Sequence, residues 1–265
     1  MILLFNIGNT NLTYGLYHQK IINLERFPIE ALIEQGDIEA LCCDLLERNE
    51  LSLEKIRGIV LSSVVPEKTP LLLETLKSCF SIEPLFISDE TKWEFDCSSY
   101  SGTLGTDRLL CCQGALIKYK PPFIVIDCGT ATTINVIEES GAFIGGVILP
   151  GIITGMQAIA SRTSLLQPIT ITKPKSVIGR STAECMLSGV LYGSAAQLEG
   201  LVKRIWQETD EEMSVIITGG NGSMILPYLS ITSHYEPNLL LEGLVMQYKN
   251  NQKNCLERKY FVECT

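Results

Sequence analysis

An internal repeat constrains this chain more than any other feature of its sequence. Leu4-Phe5-Asn6-Ile7-Gly8-Asn9-Thr10 lies over Val125-Ile126-Asp127-Cys128-Gly129-Thr130-Ala131, with position 6 matching position 127, an offset of 121 residues. In each copy an apolar strand ends in Asn or Asp, one residue precedes a Gly, polar residues turn the chain, and a second strand returns. A glycine at such a turn has no Cβ and accepts positive φ, so backbone N–H groups can converge on an anion, with Thr and Asn side chains adding donors. Taken alone, Asn6 to Asn11 reads first as a plain hairpin turn. Its repetition favours two turns that grip one polyphosphate.

The rest of the chain fits a duplicated α/β architecture. Apolar runs at 2–5, 12–17 and 21–27 predict a β-meander. Helical periodicity at 38–46, a strand at 58–64, a helix from Pro66 to Cys79 and a strand at 84–87 follow. A helix over 107–118 precedes a second series of the same kind: strands at 123–126, 132–137 and 142–149, helices at 152–161 and 182–206, a strand at 214–218 and a last helix from Leu239. The expected fold class is therefore α/β, with two similar domains, each a mixed sheet flanked by helices, and a cleft between them. The predicted boundary near Pro121 gives domains 1–120 and 121–265.

At 265 residues the chain is long enough for two cores. A net charge of -9 argues against broad contact with nucleic acid or anionic membrane, so an anionic ligand must be held locally. The uncharged stretch 140–160 is broken by Gly145, Gly146, Pro150 and Gly151 and reads as a strand, a turn and a helix rather than a membrane span. The ten cysteines lack paired C-x-x-C spacing and are expected to be small buried hydrophobes. With no basic, hydrophobic leader at Met1, a reducing cytoplasm is the expected compartment.

The chain has no G-x-x-x-x-G-K-[ST] and no G-x-G-x-x-G, so nucleotide binding rests on the paired hairpins, with the Thr218-Gly219-Gly220 turn as a third loop. Only His18 and His234 are present, neither near a motif, so a carboxylate must do any proton work. Asp107 and Asp127 are the available pair. Asp107-Arg108 lies between the repeated halves at a helix start, where Asp can serve chemistry or simply complement the helix dipole.

These residues resemble a known family. Asn6-Ile7-Gly8-Asn9-Thr10-Asn11, Gly105-Thr106-Asp107-Arg108 and Asp127-Cys128-Gly129-Thr130-Ala131-Thr132-Thr133 resemble the Asp-x-Gly-Asn-Thr, Gly-x-Asp-Arg and Asp-Phe-Gly-Thr-Ala-Thr-Thr motifs of type III pantothenate kinases. Matching segments at 145–151, 178–182, 188–193 and 241–244 follow in order. The resemblance implies two actin-like (ribonuclease H-like) domains and ATP-dependent phosphorylation of pantothenate to 4'-phosphopantothenate, the first step of coenzyme A synthesis. It implies a homodimer using Mg2+ with ATP and a monovalent cation, K+ or NH4+. By motif position Asp107 is the proton acceptor, and Tyr100, Gly105, Thr106, Asp107, Arg108 and Thr182 contact pantothenate, Thr182 from across the dimer interface. Asn6, Ile7, Gly8, Asn9, Thr10, Asn11, Leu12, Thr13 and Thr130 serve ATP, and Asp127 ligates the monovalent cation.

The chain departs from the family pattern at three places. Asn6 stands where the family has Asp, Asn135 where it often has Asp, and 98–104 lacks the Asn-Pro that many members carry. One carboxylate charge about 4 Å from a dication is worth up to ~8 kcal/mol of attraction at an effective dielectric near 20, before desolvation. Asn6 therefore leaves a second function open, a nucleotide- or pantothenate-binding regulator of the same fold. A phosphotransferase or phosphatase acting on another small alcohol or acid is a third.

Overall fold

The computed structural model describes residues 1–32, 34–88 and 90–263, with side chains described as far as residue 253. In chain order its elements are β1 (Ile2–Ile7), β2 (Asn11–His18), β3 (Lys20–Pro28), α1 (Gln35–Arg48), β4 (Gly58–Ser63), α2 (Thr69–Phe80), β5 (Leu85–Ile87), α3 (Thr106–Ala115), β6 (Phe123–Cys128), β7 (Ala131–Ile137), β8 (Phe143–Pro150) and α4 (Ile152–Arg162). They continue with α5 (Thr182–Ser188), α6 (Ser194–Thr209), β9 (Ser214–Thr218), α7 (Gly222–Ile225), β10 (His234–Tyr235) and α8 (Leu239–Glu263). The helix expected over 182–206 is interrupted by a π-helical turn at Gly189–Gly193. The uncharged stretch is β8 followed by α4, and among the described residues no helix is long and apolar enough to cross a membrane.

The repeat extends well beyond the hairpins. One five-stranded sheet has the order β3-β2-β1-β4-β5, and the other, taken from its β8 edge, has β8-β7-β6-β9-β10. In each, the first strand of the unit pairs antiparallel with its hairpin partner and parallel with a later strand: Asn6 stands opposite Thr13 and Ser62, and Asp127 opposite Thr133 and Thr218.

The chain forms two compact units, one of Met1–Glu94, Gly102–Lys118 and Asn238–Thr265, the other of Phe95–Ser101 and Tyr119–Pro237. The expected division at 120/121 differs from this partition at residues 95–101, 119–120 and 238–265. Helix α8 belongs with the first unit because glycines let it meet α3 backbone to backbone: a Cβ on Gly114 would lie 2.1 Å from the Leu239 carbonyl oxygen, and one on Gly243 2.1 Å from that of Leu110. Residues 95–101 belong with the second because Phe143 N–H donates to Asp96 O at 2.8 Å and the Tyr100 ring stands edge-on to Phe143.

Strand alternation sorts the first unit into two faces. Leu3, Phe5 and Ile7 bury against Leu41 and Leu45 of α1 and Leu72 and Leu76 of α2. Leu4 and Val60 bury against Leu110 of α3 and Leu241 and Leu244 of α8. Each such side chain contributes about 1.5–3 kcal/mol, which holds α3 in place. Asn6 follows Leu4, and Ser62 follows Val60, onto this second face. In the second unit Ile124, Ile126 and Cys128 join Leu198 and Val202 of α6 in a core, so alternation sends Asp127 to the opposite face.

The expectation for the cysteines holds in part. Cys42, Cys111, Cys112 and Cys128 are buried, whereas Cys43 and Cys185 are exposed.

Candidate active site

In the first unit the carboxyl ends of β1 and β4 gather the predicted residues, the end of a mixed sheet where ligands are commonly received. Gly8 N–H donates to Asn11 O at 2.9 Å, closing a loop whose Asn9 and Thr10 are exposed. Ile7 and Leu12 point into the core, so their side chains shape the loop from beneath. Asn6 is 6% exposed, and its Oδ1 accepts from the fully buried Ser62 Oγ at 2.6 Å. Ile7 O accepts from Val64 N at 3.0 Å, and the Val64 side chain reaches to 4.0 Å from where a Cβ on Gly105 would stand. The start of α3 is thereby set beside the ends of β1 and β4, on the face that carries Asn6 and Ser62.

At that start Gly105 is the N-cap and offers no side chain to the first-turn amides. A Cβ on Gly105 would lie 2.6 Å from Asp107 Oδ1, so glycine leaves the space the carboxylate occupies. Burial pushes the Asp107 carboxyl above its ordinary value, opposed by the Arg108 N–H that donates to Oδ1 at 2.8 Å and by the Arg108 charge. Arg108 is itself 7% exposed. Among the described residues Thr106 Oγ1 is buried without a hydrogen-bond partner, a position that costs about 1–3 kcal/mol until a partner arrives.

The second hairpin is closed in a turn one residue shorter, by Gly129 N–H to Ala131 O at 3.0 Å. Two neighbours enclose it. Gly219, just past β9 with φ +89, would place a Cβ 2.2 Å from Asp127 Oδ1, so both the conformation and the space demand glycine. Asn221 N–H donates to Cys128 O at 2.9 Å and its Nδ2 to Gly129 O at 3.3 Å. On the other side Gly151 N–H and Thr154 Oγ1 both donate to Thr130 O, at 3.0 and 2.7 Å. Asp127 is half-buried and Thr130 exposed. Burial, then the Asp127 charge, pushes the Cys128 thiol up to about 12, leaving it un-ionised at neutral pH.

Asn6 to Thr13 and Gly105 to Arg108 thus meet within one unit, while Asp127, Thr130, Tyr100 and Thr182 belong to the other. Thr182 is exposed at the start of α5, whose N-cap Ser181 Oγ accepts from Glu184 N–H at 3.2 Å. Sequence reasoning missed Ser62, Thr154 and Asn221. The signal for Ser62 was a polar residue at an inward position of an apolar strand. Gly151 was read as part of a Pro-Gly turn and of the matching segment 145–151, with no contact to the second hairpin foreseen.

Comparison with known proteins places these features. The model of the type III pantothenate kinase family matches residues 2–204. A type III pantothenate kinase of Bacillus cytotoxicus is 35% identical over 256 residues, 95% of this chain and 97% of that one. Among solved structures, a conserved protein assigned to the Baf family of transcriptional activators from Campylobacter jejuni is 24% identical, with a TM-score of 0.56 over 95% of this chain and 99% of its own. The activator of 2-hydroxyisocaproyl-CoA dehydratase from Clostridium difficile, solved with ADPNP, has a TM-score of 0.60 at 13% identity over 97% of both chains. These two likenesses are of fold alone.

Proposed function

The chain belongs to the type III pantothenate kinase family, and from that premise we propose that it transfers the terminal phosphoryl group of ATP to the primary hydroxyl of pantothenate, opening coenzyme A synthesis. The observation that carries the reading is the start of α3: a half-buried carboxyl whose desolvation raises its pKa, beside a Thr106 hydroxyl that is buried without a partner among the described residues, at the strand ends that hold the first glycine hairpin. Asp107 accepts the proton of the attacking hydroxyl, a role worth about 10^2 to 10^4 in rate. Phosphoryl transfer asks the protein chiefly for position and charge. Thr106 Oγ1 and the first amides of α3 hold the substrate, with Gly105 leaving room for the carboxylate and Arg108 beside it.

ATP takes its contacts from residues 6–13 and Thr130. Mg2+ bound with ATP supplies charge neutralisation on the phosphates. Among the described residues no group of three His, Cys, Asp or Glu side chains gathers, which fits a cation carried mainly by the nucleotide's own oxygens. We assign the monovalent cation, K+ or NH4+, to Asp127. Tyr100 and Thr182 are assigned to pantothenate, Thr182 from a second copy in a homodimer. Support for the dimer comes from Ile144 and Ile148, exposed on edge strand β8. A reducing cytoplasm is proposed as the compartment, in keeping with Cys42, Cys111, Cys112 and Cys128 buried as small apolar side chains.

The test is the initial rate of ADP release with ATP, Mg2+ and K+, with and without pantothenate and against other small alcohols and acids. Pantothenate-dependent release, outcompeted by none of them, is expected. Tight binding of ATP or pantothenate without release favours instead the regulator that Asn6 allows, and faster release with another alcohol replaces the substrate. A light-scattering mass of one chain removes the dimer and the role of Thr182.

A further inference from the structure

The two hairpins present opposite chemistry at equivalent positions, and the difference has a structural cause at Asn6. Its Oδ1 is taken by the hydroxyl of Ser62, which is fully buried on the neighbouring parallel strand. Among the described residues Asn6 Nδ2 has no hydrogen-bond partner, and Asn6 keeps 6% of its surface exposed. An amide held in this way offers a donor at the place where Asp127 offers a carboxylate. A carboxylate there repels phosphate and needs a cation between them, whereas an N–H bonds a phosphate oxygen directly.

Resting on the reading that residues 6–13 bind ATP, we propose that Asn6 Nδ2, oriented by Ser62, is a direct hydrogen-bond donor to a phosphate oxygen of the nucleotide. Ser62 is the positioning residue. The consequence is a nucleotide site that depends less on divalent cation than one with Asp at position 6. A hydrogen bond to a charged group commonly changes affinity by tenfold or more.

The experiment measures ATP binding by titration calorimetry in EDTA and in Mg2+, for the parent, Asn6→Asp and Ser62→Ala, with circular dichroism confirming each fold. The parent is expected to weaken by less than about tenfold when Mg2+ is removed. Asn6→Asp is expected to weaken by roughly a further tenfold or more in EDTA and to recover in Mg2+, a cation dependence that mere loss of packing does not create. Ser62→Ala, which keeps the donor but frees it to rotate, is expected to lose roughly threefold to tenfold in EDTA.

Equal Mg2+ dependence in the parent and Asn6→Asp overturns the proposal while leaving ATP binding intact. If Asn6→Asp does not fold, Ser62→Ala binding as tightly as the parent in EDTA overturns it alone. Absence of ATP binding by the parent in both conditions overturns this proposal together with the kinase reading, and so is distinguished from the first result.

Discussion

Hairpins β1–β2 and β6–β7 are both closed by a glycine N–H on the first residue of the returning strand and share the strand order of the sheets around them, yet they differ in turn length, charge and the bonds that hold them from outside. The first ends in a neutral, nearly buried amide tied to Ser62, and a Cβ on Gly8 would meet only Asn11 O, at 3.2 Å. The second ends in a half-buried carboxylate, and its loop is bonded from both sides through Gly151, Thr154 and Asn221. One backbone design thus supports a donor-bearing loop held from outside by the Ile29 N–H on Thr10 O at 2.9 Å and an anionic one held from two sides. The shared part is what the fold needs, since each glycine amide restarts its returning strand. The divergent part is chemistry, set by one side chain per hairpin and by the residue opposite it on the parallel strand.

If proton removal belongs to the first unit and not to the charged second hairpin, Asp107→Asn costs about 10^2 to 10^4 in kcat while ATP affinity stays within a few-fold. A similar loss in Asp127→Asn, measured in the same assay at saturating K+, breaks the division. Enclosure is tested by Gly151→Ala, whose Cβ would stand 2.3 Å from Thr130 O and 2.4 Å from Gly129 O. Backbone must move there, at about 1–3 kcal/mol, so ATP affinity falls roughly tenfold to a hundredfold, whereas Gly8→Ala costs only a few-fold. Equal losses in calorimetric titrations of the two variants erase the contrast.

A smaller effect sharpens the role of α3. In Gly105→Ala the new methyl meets the free end of the Asp107 side chain rather than backbone. The carboxylate therefore swings aside, kcat drops roughly tenfold by misplacement, and the melting temperature barely changes. Loss of the fold instead of the rate contradicts that placement.

The smallest effect is in pH. Burial raises the Asp107 pKa above its unfolded value, so the folded state binds this proton more tightly than the unfolded one. The group's cost to stability is then absent below about pH 4 and grows as pH rises through the folded value. Activity runs the other way, because the base must be ionised: kcat falls as pH drops through that raised value. The difference in denaturant stability between Asp107→Asn and the parent is expected to shift in the variant's favour from acid to neutral pH, and a constant difference counts against the raised pKa.

Much of this was legible in the sequence because strands and glycine turns write themselves locally. The hairpin at 6–11 and its copy at 127 are short-range patterns, and their burial follows from apolar alternation. What was not legible depends on pairing between distant segments. Ser62 meets Asn6 only through the parallel register of β1 and β4, and Gly151 meets Thr130 only after β8 has returned along β7. The placement of α8 with the first unit rests on Gly114 and Gly243, whose spacing carries no periodic signal. The π-helical turn at 189–193 escaped notice because its residues keep helical dihedrals on either side.

The most direct measurement is mass spectrometry of the product after incubation with ATP, Mg2+, K+ and pantothenate, with Asp107→Asn run alongside. A pantothenate product heavier by one phosphoryl group, formed by the parent and nearly absent with Asp107→Asn, is the predicted result. Pantothenate recovered unmodified from a parent that binds ATP, or phosphorylation undiminished in Asp107→Asn, contradicts the account.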